Sequence, residues 1–351
     1  MVIEDNVPLA PLTTLKVGGP AKLFVNASTS DQVMEAVQYA KSNHLPVFVL
    51  GGGSNLLVAD AGYNGLVLKI AIGGVQTCDA HGGRREYELG AGEDWDGFVA
   101  RAVAEDCAGV ETLSGIPGTV GGTPVQNVGA YGQEVAETIQ FVRVLDLQTM
   151  QVKDLSNAEC GFSYRTTIFN SSAQGRYIVL GVTYSLEIGG PARIAYADLK
   201  KHFGEPAVHP TLQQTRDAVR AIRLSKAMHI VPDDEDCRSA GSFFKNPIVE
   251  TTTYEAVAAI AAQKGSATAP PKYPAADGRV KISAAWLVEN AGFPKGYARG
   301  NAGISRKHSL AIVNRGGATA AEIVALKDEV QRGVMDAFGI QLQPEPVMVG
   351  F

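Results

Sequence analysis

Three polar residues have sequence surroundings in which they could bind a charged group or transfer a proton. Arg165 follows the aromatic-containing residues 162–164, and such a guanidinium serves as a structural ion-pair partner or as a fork for a substrate carboxylate. Ser242 lies in the largely apolar segment 241–247, where the absence of a GxSxG elbow disfavours a hydrolytic serine. Glu345 stands between two prolines, a rigid setting that an edge strand also explains. Taken singly, Arg165 and Glu345 are better explained by structural roles.

A first glycine loop follows the apolar run 47–50, which is typical of a buried strand. The loop is neither a GxGxxG fingerprint, which needs glycine at position 56, nor a Walker motif. Successive glycines can still turn backbone N–H groups toward one point and form a nest for a phosphate, although a tight turn explains the same residues. Its candidate cofactor-binding residues are Gly51, Gly52, Gly53, Ser54, Asn55 and Leu56.

A second glycine-rich segment, 115–132, holds six glycines and two prolines among apolar residues. Glycine allows positive φ and lets the backbone approach a flat ligand, while polar side chains can bond the edges of its rings. A buried turn is the structural alternative. Two such loops predict a large dinucleotide such as FAD, and the candidates here are Ile116, Pro117, Gly118, Gly121, Gly122, Thr123, Gln126, Asn127 and Gly129.

Hydrophobic periodicity indicates the elements that position these loops. Thr29 and Gln32 form a plausible capping box that opens a helix over about 30–43, which gives a small βαβ-like first lobe with the run 47–50. Strand signals dominate between 65 and 188, and the alternation over 178–188 predicts a strand with one buried face.

Beyond residue 220 the pattern changes to Ala-rich amphipathic helices. Capping boxes are predicted at Thr252 with Glu255 and at Thr319 with Glu322, and Ser283 is predicted to cap a third helix. We therefore expect a separate α/β domain at about 221–320.

Composition excludes several classes of function. The formal net charge of −5 and the absence of a basic run disfavour nucleic acid as a partner. No stretch approaches the roughly 20 apolar residues that span a bilayer, and residues 1–11 lack a signal-peptide pattern, so we expect a soluble, unexported protein without membrane insertion. The four cysteines lack CxxC spacing, which makes zinc improbable and predicts no metal site.

Together the segments 51–55, 116–132, 162–165, 241–247 and 344–345 resemble the UDP-N-acetylenolpyruvoylglucosamine reductases of peptidoglycan synthesis. The resemblance covers nearly the whole chain and implies an α+β protein. Its FAD-binding domain would have two lobes of the vanillyl-alcohol-oxidase and para-cresol-methylhydroxylase type, followed by a smaller α/β substrate-binding domain. The expected ranges are 1–70 and 71–220 for the two lobes, 221–320 for the substrate domain, and 321–351 for a C-terminal helix and strand carrying Glu345.

The same resemblance implies a reaction. NADPH would reduce a non-covalently held FAD and leave, and the flavin N5 would then pass hydride to the enolpyruvyl group of UDP-N-acetylglucosamine enolpyruvate, giving UDP-N-acetylmuramate. Arg165 and Glu345 would stabilise the resulting enolate, and Ser242 would donate the completing proton. The implied setting is the cytoplasm, in a cell-wall pathway tied to cell shape and division, with a monomeric enzyme.

The resemblance also implies a substrate-binding set. Its members are Tyr131, which lies near the flavin, Tyr196, Lys226, Asn246, Tyr273, Lys281 and His308. Tyr196 matches the mobile tyrosine loop of the first family type. Two departures are His308, where some relatives carry Gln, and Gln343, where Glu is frequent.

Two other functions compete with this one. A flavoprotein oxidase of alcohols or hydroxy acids would have no need of the Ser242 segment together with Lys226. A non-catalytic flavin or UDP-sugar sensor would be favoured by loss of Arg165, Ser242 or Glu345, and all three are present. Because one fold can carry many functions, the choice among these functions depends on the site residues.

Overall fold

The computed structural model describes residues 1–204, 209–266 and 268–351. The strands, in chain order, are β1 Glu4–Pro8, β2 Pro20–Ala27, β3 Val47–Leu50, β4 Leu56–Val58, β5 Tyr63–Ile70, β6 Val75–Ala80, β7 Arg84–Gly90, β8 Cys107–Ala108, β9 Gly129–Ala130, β10 Gln133–Glu134, β11 Ile139–Asp146, β12 Gln151–Ser156, β13 Tyr177–Ile188, β14 Ile248–Val249, β15 Lys272–Pro274, β16 Val280–Ile282, β17 Ala298–Arg299, β18 Ala302–Ile304, β19 Ile312–Asn314 and β20 Val347–Val349. The helices are α1 Ser30–Ser42, α2 Trp95–Ala104, α3 Ala197–Phe203, α4 Leu212–Ser225, α5 Thr251–Gln263, α6 Ala284–Asn290 and α7 Ala320–Phe338.

The chain forms two compact units, each built from several stretches of sequence. The first comprises Met1–Val7, Ala21–Gly53 and Asn64–His229, and the second comprises Pro8–Pro20, Ser54–Tyr63 and Ile230–Phe351. Both contain helices and strands, which confirms the predicted α+β class. The four ranges expected from the sequence stay a prediction.

A four-stranded sheet of order β1-β2-β5-β3 opens the first unit. Helix α1 packs on this sheet through Val33, Ala36, Val37 and Ala40, and Thr29 caps its start by accepting from Gln32 N, so the predicted helix is confirmed. Strand β3 is present but lies at the end of the sheet order, and Val49 is 37% exposed. The expectation of a fully buried strand was therefore wrong, because apolarity does not reveal sheet order.

A second sheet of the first unit has the order β12-β11-β13-β7-β6, with β8 pairing at the end of β13. Both faces of β13 are covered over most of its length. Tyr184 on one face packs against Trp95 and Phe98 of α2, with ring centroids 5.7 and 5.1 Å apart, while Val179 and Ser185 on the other are also buried. The strand is confirmed and its predicted buried face is present, although Ile188 at its end is 39% exposed.

Helix α7 supplies the core of the second unit. Its apolar stripe of Ile323, Leu326, Val330, Val334 and Phe338 is buried, in keeping with helical spacing. The predicted Thr319 and Glu322 capping box is present, and Ser283 caps α6 as predicted. Asp60, distant in sequence, adds a second cap to α7, since its carboxylate accepts from the N–H groups of Ala320 (2.7 Å) and Ala321 (3.0 Å).

The capping box predicted at Thr252 was wrong. The N-cap of α5 lies two residues earlier, at Glu250, and makes no side-chain cap bond. Strand β14 ends at Val249, where it pairs with Val280, and this pairing fixes where the helix can begin.

No helix in the described part of the chain is both long and apolar enough to cross a membrane. None of the four cysteines, all of which are described, forms a disulfide.

Candidate functional site

The two predicted glycine loops meet within the first unit. A Cβ atom on Gly52 would lie 2.5 Å from the Cα of Gly118, and one on Gly51 would lie 3.2 Å from the Thr119 hydroxyl oxygen. Real Cβ atoms do not approach a backbone atom that closely, so position 52 must be glycine if the loops are to touch. The contact creates a single surface from segments that are far apart in sequence.

Backbone hydrogen bonds fix the second loop to the turn that precedes α2. Gly118 O accepts from Trp95 N at 3.2 Å, Val120 N donates to Glu93 O at 2.9 Å, and Gly121 N donates to Ala91 O at 2.8 Å. These three backbone bonds hold the loop against the start of α2. Residues 116–119 remain half-exposed, so they are available to a ligand.

Thr119 was not predicted as a site residue, yet it carries a buried hydroxyl at the meeting point of the loops. Within residues 1–204, 209–266 and 268–351, its Oγ1 atom has no hydrogen-bond partner. A buried polar atom without a partner is costly, so this position suits a polar ligand group that completes the bond. No pattern in the sequence indicates this role of Thr119, because it depends on the approach of Gly51.

Thr123 and Asn127, both predicted cofactor contacts, are engaged within the protein. Thr123 Oγ1 donates to Val120 O at 2.8 Å and accepts from the Tyr184 hydroxyl at 2.5 Å. Asn127 Nδ2 donates to Glu134 Oε2 (2.8 Å) and Ser163 O (3.1 Å). These bonds order the loop, and a direct contact with a cofactor stays a prediction.

The remaining candidates of the second loop differ in their surroundings. Ile116 packs against the core, whereas Gly122 is exposed and a Cβ there would meet nothing within 4 Å. Pro117, Gln126 and Gly129 are half-buried. Gly122 is therefore not required by packing.

Arg165 is held by backbone carbonyls of the second glycine segment. Its Nη1 donates to Asn127 O at 3.2 Å and its Nη2 donates to Gly129 O at 2.9 Å. Arg165, Asn127 and Tyr131 all have positive φ, at 54, 49 and 50°. Non-glycine residues rarely adopt this conformation, and such strain clusters at functional sites.

The first glycine loop is divided between the units, since Ser54, Asn55 and Leu56 belong to the second. Asn55 was predicted to bind cofactor, but its Nδ2 donates to Glu345 O at 3.3 Å and its carbonyl accepts from Val347 N at 2.9 Å. Leu56 begins β4, which pairs in parallel with β20. Asn55 thus holds the segment that carries Glu345.

Ser242 and Glu345 lie on paired segments of the second unit. Glu345 N donates to Phe243 O and Lys245 N donates to Gln343 O, both at 2.9 Å. Because Phe243 directly follows Ser242, this short antiparallel ladder brings two of the three predicted catalytic residues together. Their proximity could not be read from positions that are more than a hundred residues apart.

Two predicted substrate residues neighbour this ladder. Phe243 N donates to Leu310 O at 2.7 Å, and Leu310 N donates to His308 Nδ1 at 3.1 Å, so the His308 turn lies beside the Ser242 segment. Asn246 Oδ1 accepts from Ala284 N at 2.8 Å and so supports the first turn of α6.

Tyr273 and Lys281 share one face of the small sheet β14-β16-β15. The register pairs Lys281 with Tyr273 on one side and with Ile248 on the other, and directly paired residues point to the same face. Ile248 and Tyr273 are 39% and 42% exposed. The sequence did not indicate Ile248, since pairing register is not visible in it.

Lys226, Tyr131 and Tyr196 are brought together in the first unit. Tyr131 is buried, and its ring meets that of Tyr196 edge-on with centroids 5.5 Å apart. Lys226 Nζ donates to Asp198 Oδ2 at 2.6 Å. Burial raises the pKa of Tyr131, and the positive charges of Arg223 and Lys226 oppose this rise.

Comparison with known proteins agrees with this architecture. A family model described as FAD binding domain matches residues 21–155, and one described as UDP-N-acetylenolpyruvoylglucosamine reductase, C-terminal domain, matches residues 232–349.

Whole-chain relatives carry the same name. The UDP-N-acetylenolpyruvoylglucosamine reductases of Thermobifida fusca and Streptomyces avermitilis are 47% and 46% identical, over 98% of this chain and 97% and 94% of theirs. The crystal structure of UDP-N-acetylenolpyruvylglucosamine reductase from Thermus caldophilus matches 99% of both chains, with a TM-score of 0.66 and 27% identity. This chain therefore belongs to the UDP-N-acetylenolpyruvoylglucosamine reductase family.

Proposed function

We propose that this protein reduces the enolpyruvyl group of UDP-N-acetylglucosamine enolpyruvate to the lactyl ether of UDP-N-acetylmuramate, with NADPH as reductant. The observation that carries the proposal is the ladder that sets Ser242 beside Glu345, in a chain of this family. A proton donor next to a carboxyl group suits protonation at carbon. An oxidase of alcohols or hydroxy acids would have no need of the Ser242 segment together with Lys226.

The residues of the first unit fit an FAD cofactor. The touching glycine loops leave a side-chain-free surface, and the buried Thr119 hydroxyl lacks a partner in the described part of the chain. We propose that Gly51–Gly53 and residues 116–119 hold the dinucleotide through backbone groups, without a covalent link, and that Thr119 completes its bond there. When bound, FAD supplies the hydride.

Arg165, Glu345 and Ser242 would serve the substrate at the reacting carbons. Addition of hydride to the terminal carbon places negative charge on the adjacent carbon and its carboxylate. A guanidinium already fixed by two carbonyls needs no reorientation to stabilise that charge, and Arg165 meets this condition. Glu345 would share in this stabilisation, and the Ser242 hydroxyl would give its proton to the adjacent carbon.

Residues outside this triad would bind the rest of the substrate. Lys226, Tyr131 and Tyr196 form one group in the first unit, while Tyr273 and Lys281 share a sheet face in the second. We propose that Lys226, Asn246, Tyr273 and Lys281 contact the diphosphate and uridine, and that His308 takes the place that Gln holds in some relatives. Tyr196 assigns the chain to the first family type.

We further propose that the enzyme acts in the cytoplasm as a monomer, in peptidoglycan precursor synthesis that serves cell shape and division. The names of its relatives support the pathway. The absence of a membrane-crossing helix among the described residues is compatible with that location.

Product analysis tests the proposed reaction. The purified enzyme should convert the enolpyruvyl sugar and NADPH into a product heavier by two hydrogens, detected by mass spectrometry as UDP-N-acetylmuramate. Omission of the sugar should limit anaerobic NADPH consumption to the amount that reduces the bound FAD, with no further turnover. Formation of hydrogen peroxide from an alcohol or hydroxy acid, with the sugar unchanged, would instead establish an oxidase.

The variant Gly52→Ala should bind FAD more weakly. The added methyl would meet Gly118 Cα at 2.5 Å, and overpacking of this kind costs about 1–3 kcal/mol, or about five- to 150-fold in affinity. Titration of the FAD-free protein, followed by quenching of flavin fluorescence, measures the dissociation constant. In the control variant Gly175→Ala, in an exposed turn of the same unit, a Cβ meets nothing within 4 Å, so affinity should be unchanged. Equal affinity of Gly52→Ala and the parent would contradict the assignment of this loop.

A further inference from the structure

A second feature of the first unit concerns helix α3 and the end of α4. Lys226, at the C-cap of α4, donates to Asp198 of α3 at 2.6 Å, and both side chains are 36% exposed. The ion pair is therefore reachable from solvent. It joins the residue proposed to bind the substrate diphosphate to the short helix that begins directly after Tyr196.

Helix α3 is held by few contacts. Of residues 197–203, all of which are described, only Leu199 is buried. Beyond this, Phe203 packs partly buried against the cluster of Tyr131, Leu199, Ala218 and Val219, Tyr196 meets Tyr131 edge-on, and Asp198 pairs with Lys226. A helix that buries so little area unfolds locally at a low free-energy cost, so loss of one of these contacts increases its mobility.

The surroundings of the pair are rich in positive charge. Arg223, only 4% exposed, donates from Nε to Gly115 O (3.1 Å) and from Nη2 to Met228 O (2.8 Å), so carbonyls and not carboxylates satisfy these groups. The positive charges of Arg223 and Lys226 lower the pKa of the Tyr131 hydroxyl, whereas the negative charge of Asp198 raises it. A second carboxylate, Asp96, acts on Arg223 but is itself paired with Arg216, so the positive charges of Arg223 and Lys226 still attract a further anion.

We propose that the ion pair with Asp198 blocks the ammonium group of Lys226 in the substrate-free enzyme. The substrate diphosphate then displaces Asp198 from that ammonium group and thereby releases α3 and Tyr196. The inference rests on the proposed function, since it needs a diphosphate at Lys226. Asp198 is a positioning residue in this account, because it acts through Lys226 and not on the reacting atoms. A diphosphate carries more negative charge than one carboxylate, so it wins the competition for Lys226.

The variant Asp198→Asn tests the competition without changing the size of the side chain. Exposed ion pairs contribute modestly, so KM for the enolpyruvyl sugar and Kd for UDP should fall about two- to fivefold. The rate of flavin reduction at saturating NADPH should not change. Trypsin should cleave the ligand-free variant faster than the parent after Lys200 and Lys201, which are exposed on α3.

A double variant separates competition from a general charge effect. With Lys226→Ala already in place, Asp198→Asn should leave KM unaltered, since there is no ammonium group to release. The matched variant Asp217→Asn removes an equal charge from an exposed position of α4, where the carboxylate accepts from Gln213, and should leave KM at the parental value.

The outcomes distinguish this inference from the proposed function. An unchanged or raised KM in Asp198→Asn, in an enzyme whose parent reduces the enolpyruvyl sugar, would overturn the competition alone. Failure of the parent to reduce the sugar would instead overturn the proposed function.

Discussion

Replacing Ser242 by alanine should lower kcat for reduction of the enolpyruvyl sugar by about 10²–10⁴-fold, the usual contribution of general acid catalysis. Flavin reduction by NADPH needs no proton from Ser242 and should proceed at the parental rate. Stopped-flow absorbance of the flavin under anaerobic conditions measures the two half-reactions separately. The loss should therefore appear only after the sugar is added.

Two further serine variants define the role of the hydroxyl. Ser242→Cys should recover part of the rate, because a thiol can also donate a proton. Ser239→Ala removes a nearby hydroxyl that accepts from Gly241 N at 3.2 Å, and kcat should be retained. A Ser242→Ala enzyme with parental kcat would exclude Ser242 as the proton donor.

The variant Arg165→Lys should lower kcat by about 10²–10³-fold, in the range found when a fixed donor to developing negative charge is removed. The guanidinium is held by Asn127 O and Gly129 O at the same time, which a single ammonium on a flexible chain cannot reproduce. Rapid-quench measurement of single turnovers, started from the reduced enzyme, measures the rate of reduction of the sugar, which is the step that should be slowed.

Arg143→Lys provides the matched control for this change. Arg143 lies on β11 of the same unit, is exposed, and pairs with Asp154 at 2.9 Å and with Glu88 at 2.5 Å. Its replacement should leave kcat intact, since surface pairs contribute little. A slowed reductive half-reaction in Arg165→Lys, with a normal oxidative one, would contradict the proposed role.

Local signals in the sequence predicted local structure well. The Thr319 and Glu322 box and the Ser283 cap are confirmed because both partners of each bond lie within one helical turn. The box at Thr252 was wrong because the start of α5 is set by the pairing of β14 with β16. That pairing joins distant segments, which a local pattern does not contain.

The glycine loops show the same limit at the candidate site. The sequence indicated that the glycines at 51–53 could form a phosphate nest, but not that Gly52 would lie against Gly118. It also could not show that Thr123 and Asn127 bond within the chain or that Asn55 holds Glu345. Residue type predicted which side chains can form hydrogen bonds, whereas tertiary packing decides which bonds they form.

Recovery of flavin absorbance by the sugar is the most direct test of the account. The purified protein should be yellow, lose its visible absorbance on anaerobic addition of NADPH, and regain it in proportion to added UDP-N-acetylglucosamine enolpyruvate. Full recovery at one equivalent of sugar is the predicted result. Bleached enzyme that recovers only on admission of oxygen, or a colourless protein that cannot be reconstituted with FAD, would contradict it.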